Sequence, residues 1–251
     1  AGAGSGKTEL MSLRVLWLVA NGYARPEEIL GLTFTRKAAS ELSNRIYQSL
    51  LKMRDSELWP KDSVPYDFTQ PTILTYNAYA NSLFRENALG LGLESESSLL
   101  TEAAAFQLAR EVVVKYGELV DARLADVDLK LNSIVEAVIG LAAAMNDNLT
   151  DATAVEQICL SVVGQLSGLP KKPGGNDFAK NKYYDELLEP FAITDVLAKL
   201  ADKYRQEKQR LGYVDYSDQV ALAARAVREN PEVANVQRER FTHILLDEYQ
   251  D

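Results

Sequence analysis

The sequence predicts an α/β fold, a mostly parallel sheet with helices on its faces, interrupted by an all-helical segment. Three observations predict it. Short apolar runs alternate with helical periodicity from Ala1 to about Ala88. After Gly90-Leu91-Gly92 the strand signals stop, and apolar stripes at spacings of three and four follow for more than a hundred residues. A strand pattern returns at Thr242-His243-Ile244-Leu245-Leu246 and runs into Asp247-Glu248-Tyr249-Gln250-Asp251.

The chain opens on Ala1-Gly2-Ala3-Gly4-Ser5-Gly6-Lys7-Thr8, a glycine-rich turn ending in Gly-Lys-Thr. Glycines let consecutive backbone N–H groups turn inward without Cβ clashes, so Gly2, Ala3, Gly4, Ser5 and Gly6 form a phosphate cradle. Lys7 reaches the β- and γ-phosphates and the Thr8 hydroxyl ligates Mg²⁺. The strict pattern has Gly where Ala1 stands. By itself the motif says only that ATP or GTP binds.

A helix is predicted from Lys7 to Ala20, with Leu10, Leu13, Trp17 and Ala20 on its apolar face and Asn21-Gly22 as its stop. Ile29 to Phe34 reads as a short buried strand. Thr35 then caps a helix whose buried face is Ala38, Leu42, Ile46 and Leu50. A polar loop through Pro60 and Pro65 leads to a strand at Thr72 to Thr75 and a helix from about Asn77 to Glu86.

Three stripes mark the helical segment: Phe106, Ala109, Val113 and Tyr116; Leu131, Ile134, Val138, Leu141 and Met145; Val155, Ile158, Val162 and Leu166. The Pro170 to Gly175 loop precedes a long helical stretch to about Leu211, interrupted near Pro190. These stripes are core faces and call for no cofactor.

A chain of 251 residues, 47% apolar, has enough material for a sizeable core. No stretch approaches the ~20 uninterrupted apolar residues of a membrane span. The lone Cys159 rules out an internal disulfide and fits a reducing compartment; among Ile158, Leu160 and Val162 it reads as a buried structural thiol. His243 is the only histidine, which excludes His-paired catalysis and His-rich metal sites. The net charge of −9 argues against a general polyanion-binding surface, leaving only a local track of Lys and Arg for phosphates. Carboxylates at a strand's C-terminal end face the crevice where open α/β sheets bind ligands. Asp247 and Glu248 therefore read as the Mg²⁺ and water-activating partners of the phosphate loop.

With both ends in view, the sequence resembles the ATP-binding half of superfamily 1 UvrD/Rep-type DNA helicases, in ordered motifs from Ala1 to Asp251. Ala1 to Thr8 looks like the family's first motif, and Leu32-Thr33-Phe34-Thr35-Arg36-Lys37-Ala38-Ala39 with Glu41, Arg45 and Ile46 looks like its next. Thr75-Tyr76-Asn77-Ala78-Tyr79 is similar to a third, usually Thr-Phe-His-Ser-Phe. Tyr213 to Asp218 resembles the segment that returns from a helical insertion to the sheet. Leu245 to Asp251 looks like the Mg²⁺ motif, with Tyr249 for Phe. Arg36 stands for the commoner Asn and Asn77 for the usual His.

The resemblance implies a partial RecA-like P-loop NTPase domain, residues 1–88 and 212–251, interrupted by a helical insertion domain, residues 89–211. It implies ATP and Mg²⁺ as cofactors, with Lys7, Glu248 and Gln250 catalytic and Thr8 and Asp247 on the metal. Glu248 would activate water and Gln250 would sense the γ-phosphate. Phe34, Arg36, Lys37 and Thr75 would line a track for single-stranded DNA, Phe34 stacking on a base. The insertion would add backbone contacts; Lys171 and Lys172 are candidates for them, although a solvated loop is the reading favoured for these two lysines.

Duplex junctions and repair proteins are the partners implied, and the bacterial cytoplasm, near the nucleoid, is the place. The family's adenine-recognising Gln, its γ-phosphate arginines and its second motor domain would lie outside residues 1–251, so the fragment alone is expected to be inactive. Two other readings stay open: the motor portion of a helicase–nuclease of recombinational repair, or a non-hydrolysing ATP-binding scaffold subunit. A small-molecule kinase is disfavoured because the acidic motif lies so far downstream.

Overall fold

The computed structural model describes residues 6–59, 69–94, 96–120, 130–167, 188, 191 and 193–249. Pro60 and Pro65, Lys171 and Lys172, and Pro190, all singled out from the sequence, lie outside these. The chain divides into two compact units, Ala1–Asn87 with Ala223–Asp251, and Ala88–Leu222.

In the first unit a helix, α1 (Lys7–Ala20), precedes strand β1 (Ile29–Thr33) and helix α2 (Arg36–Arg54). Strand β2 (Thr72–Thr75) runs directly into α3 (Tyr76–Asn87). The three-stranded sheet has the order β2, β1, β5, where β5 is His243–Leu246, and every pairing in it is parallel. β1 is central and buried along its whole length, as expected of a strand covered on both faces.

Register explains which residues cover which face. Gly31 pairs with Ile73 on one side and Leu245 on the other, and these two pack with Val15, Leu18, Leu42, Ile46 and Leu50 of α1 and α2. Leu30 and Leu32 point to the opposite face, where Leu74, Tyr76, Tyr79 and Phe241 pack. Each fully buried Leu or Ile contributes about 1.5–3 kcal/mol relative to exposure. Gly31 lets Ile73 approach closely: a Cβ there would lie 2.6 Å from Ile73 Cδ1, and the end of that side chain would have to shift.

Local signals hold where they have a local cause. Thr35 caps α2, its side-chain oxygen accepting from the Ala38 N–H at 3.1 Å. Asn21 and Gly22 end α1, with Gly22 at φ 68°. The face of α1 differs from the expectation. Leu10, Leu13 and Trp17 are exposed, and the buried stripe is Val15, Leu18 and Val19, with Met11 and Leu16 packed beside it. The two stripes are one residue apart, about 100° around the helix. Both are apolar, so periodicity cannot choose between them. Strand β1 also ends one residue early, leaving Phe34 outside it and exposed.

The second unit is mostly helical: α4 (Glu102–Val120), α5 (Leu131–Asp147), α6 (Ala152–Ser167) and α7 (Thr194–Arg210). The expected stripes of α4 and α5 are its core: Ala109, Val113, Ile134, Val138 and Met145 are buried with Leu200, Ala201 and Tyr204 of α7. In α6 the stripe is shifted. Cys159 is buried while Ile158 and Leu160 are exposed, and burial pushes the Cys159 thiol up, away from the reactive thiolate.

The segment is not wholly helical. Strand β3 (Ser98–Leu99) pairs in parallel with β4 (Tyr213–Val214), through Ser98 N–H to the Gly212 carbonyl and Leu100 N–H to the Val214 carbonyl, both 2.9 Å. Two residues are too few to leave a periodic signal. Helices α8 (Tyr216–Glu229) and α9 (Pro231–Arg240) follow, with the division between the units falling within α8. No helix among the described residues is long and apolar enough to cross a membrane.

Candidate functional site

The parallel register brings three chain segments to one level at the carboxyl edge of the sheet. Thr33 pairs with Thr75, and Leu32 with Leu246. The ladder continues one step, because the Asp247 N–H donates to the Leu32 carbonyl at 2.9 Å. Thr33, Thr75 and Asp247 are therefore level, and Phe34, Tyr76 and Glu248 come next along their strands. This is the edge at which open α/β sheets bind ligands.

Asp247 and Glu248 are half-buried. The Glu248 N–H donates to Asp247 Oδ1 at 3.1 Å. Glu248 has φ 50°, a left-handed conformation that costs a non-glycine residue about 1–3 kcal/mol and that surrounding contacts must hold. One such contact comes from Tyr76, whose hydroxyl donates to the Asp247 carbonyl oxygen at 2.8 Å. Burial, then the charge of Asp247, push the Tyr76 phenol above its ordinary pKa, so it remains a donor. The Tyr76 contact was not legible in the sequence, since 171 residues separate the partners.

On the neighbouring segments Phe34 is 63% exposed, and Arg36 and Lys37 are exposed in the first turn of α2. Lys37 Nζ lies 3.8 Å from Glu41 Oε1 in a solvent-facing pair of little energetic weight. Thr75 is half-buried, and its hydroxyl accepts from the Ala78 N–H at 3.1 Å, capping α3. Asn77 and Ala78 are exposed beside it.

At the chain's start Gly6 is in the left-handed conformation at φ 79°, and its carbonyl accepts from the Leu10 N–H at 2.9 Å, opening α1. Gly2, Ala3, Gly4 and Ser5, the Lys7 side chain and Gln250 lie outside the described residues. Thr8 is half-buried in the first turn of α1.

The two residues singled out for a metal, Thr8 with its hydroxyl and Asp247 with its carboxylate, both offer oxygen, the donor type that a hard cation takes. Among the described residues no three or more His, Cys, Asp or Glu side chains gather as in an all-protein metal cage. Mg²⁺ is typically held in this way, by one or two protein oxygens with phosphates and water supplying the rest.

The family model of the UvrD/REP helicase N-terminal domain matches residues 1–251. The chain belongs to this family. Among curated proteins, DNA helicase II of Haemophilus influenzae is 25% identical over 258 residues, covering 100% of this chain and 28% of the relative. The ATP-dependent DNA helicase PcrA of Leuconostoc citreum is 24% identical, covering 100% and 26%. DNA helicase II of Escherichia coli is 24% identical, covering 100% and 27%. The chain thus spans about a quarter of the length of these UvrD-type relatives.

Proposed function

We propose that this chain is the ATP-binding, first motor portion of a DNA helicase that couples ATP hydrolysis to movement on single-stranded DNA and duplex unwinding, in repair or replication. The observation that carries it is the single sheet edge on which Asp247 and Glu248 lie level with Phe34 and Thr75. A water-activating carboxylate and an exposed aromatic just past the ends of adjacent strands put hydrolysis and a DNA contact on one edge, which supports coupling between nucleotide and DNA. The names of the relatives support the same activity.

Residues 1–88 and 212–251 would then be a RecA-like motor domain and residues 89–211 its helical insertion. Lys7 and the loop amides hold the phosphates of ATP. Thr8 and Asp247 would hold Mg²⁺, which would supply charge neutralisation on the phosphates. Glu248 accepts a proton from the attacking water, and Gln250 senses the γ-phosphate. Phe34 stacks on a base while Arg36 and Lys37 meet backbone phosphates. Two cations with no acid in the first turn of α2 oppose the helix dipole, an arrangement that a bound phosphate reverses. Junction DNA and repair proteins are its partners, in the bacterial cytoplasm.

The test is ATP turnover of the intact protein with and without oligo-dT. Stimulation by the oligonucleotide is expected, with loss of turnover in Glu248→Gln. DNA-independent turnover, or full activity in Glu248→Gln, would overturn the reading.

A further inference from the structure

We propose that Tyr76 is a positioning residue, its hydroxyl tying the strand-end segment that carries Thr75 to the peptide that sets Glu248. This rests on the reading of Glu248 and of the Thr75 segment given above, and adds a physical link between them.

The Asp247–Glu248 peptide is held at both of its polar groups. Its carbonyl accepts the Tyr76 hydroxyl at 2.8 Å, and its N–H donates to Asp247 Oδ1 at 3.1 Å. The residue before it is anchored to β1 by the Asp247 N–H and the Leu32 carbonyl, 2.9 Å apart. Turning this peptide plane changes φ of Glu248, which stands at 50°. A non-glycine residue relaxes out of that region unless its neighbours hold it. Of the other two restraints, the Asp247 carboxylate is local to the β5 segment and the ladder bond comes from β1, its neighbour in the sheet. The Tyr76 hydroxyl is the restraint that comes from the β2–α3 segment, on the other side of β1.

Tyr76 is also the first residue of α3, immediately after Thr75, and the Thr75 hydroxyl caps that helix. The Tyr76 ring packs with Leu30, Leu32 and Phe241, which fixes the lever on the sheet. A shift of Thr75 is therefore passed through one residue to the carbonyl preceding Glu248. Loss of the hydroxyl leaves the ring, its packing and the Thr75 cap in place, and frees the peptide alone.

The experiment compares Tyr76→Phe with Tyr79→Phe in the intact protein. Tyr79 loses an equivalent hydrogen bond, to Gln237 Oε1 at 3.0 Å, from the same helix but away from Asp247. In Tyr76→Phe, kcat with saturating oligo-dT is expected to fall about threefold to tenfold, the worth of one neutral hydrogen bond. KM for ATP and Kd for oligo-dT should stay within about twofold. Tyr79→Phe should keep the parental kcat.

An unchanged kcat in Tyr76→Phe, equal losses in both variants, or a rise in KM at constant kcat would each overturn the inference. Glu248→Gln runs alongside. Turnover abolished there but untouched in Tyr76→Phe overturns the link alone, whereas turnover retained in Glu248→Gln overturns the assignment of Glu248 itself.

Discussion

Lys208 Nζ lies 2.7 Å from the Asp218 carboxylate, with only 2% of the Lys208 side chain exposed. Asp215 is its second anionic partner. The two carboxylates also cap α8 reciprocally: Asp218 N–H donates to Asp215 Oδ1 at 2.8 Å, and Asp215 N–H to Asp218 Oδ2 at 2.9 Å. Asn146 Nδ2 completes the set, donating to Asp218 Oδ1 at 2.7 Å. Burial pushes both carboxyls up. At Asp215 the charge and hydrogen bond of Lys208 outweigh it and hold the group below its ordinary pKa, while at Asp218 burial prevails.

Lys208→Met should therefore cost about 3 kcal/mol, since it leaves two half-buried carboxylates without their cation. Native-state hydrogen exchange of the α7 amides reads this locally. In the variant the folded carboxyl pKa values lie above the unfolded ones, so the deficit is fully present above them. It shrinks as pH falls towards about 4, where both carboxyls protonate. A deficit independent of pH would assign Lys208 to packing alone.

Gly31→Ala places a Cβ 2.6 Å from Ile73 Cδ1. Overpacking of this kind costs about 1–3 kcal/mol. Ile73→Val removes the colliding methyl, so Gly31→Ala with Ile73→Val should be more stable than Gly31→Ala alone. Denaturation of these two variants and of Ile73→Val alone checks it, and additive losses would place the strain elsewhere.

Phe34→Ala should leave the melting temperature unchanged, because the ring is 63% exposed. Affinity for single-stranded DNA should fall by about 1–3 kcal/mol. Arg36→Ala and Lys37→Ala should each weaken all sequences alike and reduce the slope of log affinity against log salt by about 0.7. An early-melting Phe34→Ala protein with normal DNA binding would place the ring in the core instead.

Lys7→Ala and Glu248→Gln should abolish turnover by different routes. Removing the lysine weakens nucleotide binding, whereas removing the carboxylate leaves binding near the parental value and stops hydrolysis. Equilibrium binding of a fluorescent ATP analogue separates them; equal loss of binding in both variants would refute distinct roles.

What the sequence determined by itself is whatever has a local cause. The Thr35 cap, the Asn21-Gly22 stop, the apolar runs of β1, β2 and β5 and the Asp247-Glu248 pair after β5 all follow from neighbours within a few residues. The family followed too, because its motifs are short and ordered along the chain.

Tertiary structure decided the rest. Leu10 and Met11 are both apolar, and only docking on Ile73 and Leu245 selects the stripe containing Met11 and Val15 over the one containing Leu10 and Trp17. The β3–β4 pairing joins residues more than a hundred positions apart through two-residue strands. The burial of Lys208 between Asp215 and Asp218 follows from the packing of α7 beside β4. Tyr76 meets Asp247 for a different reason: parallel strands bring their carboxyl ends to one level, whatever length of chain lies between them.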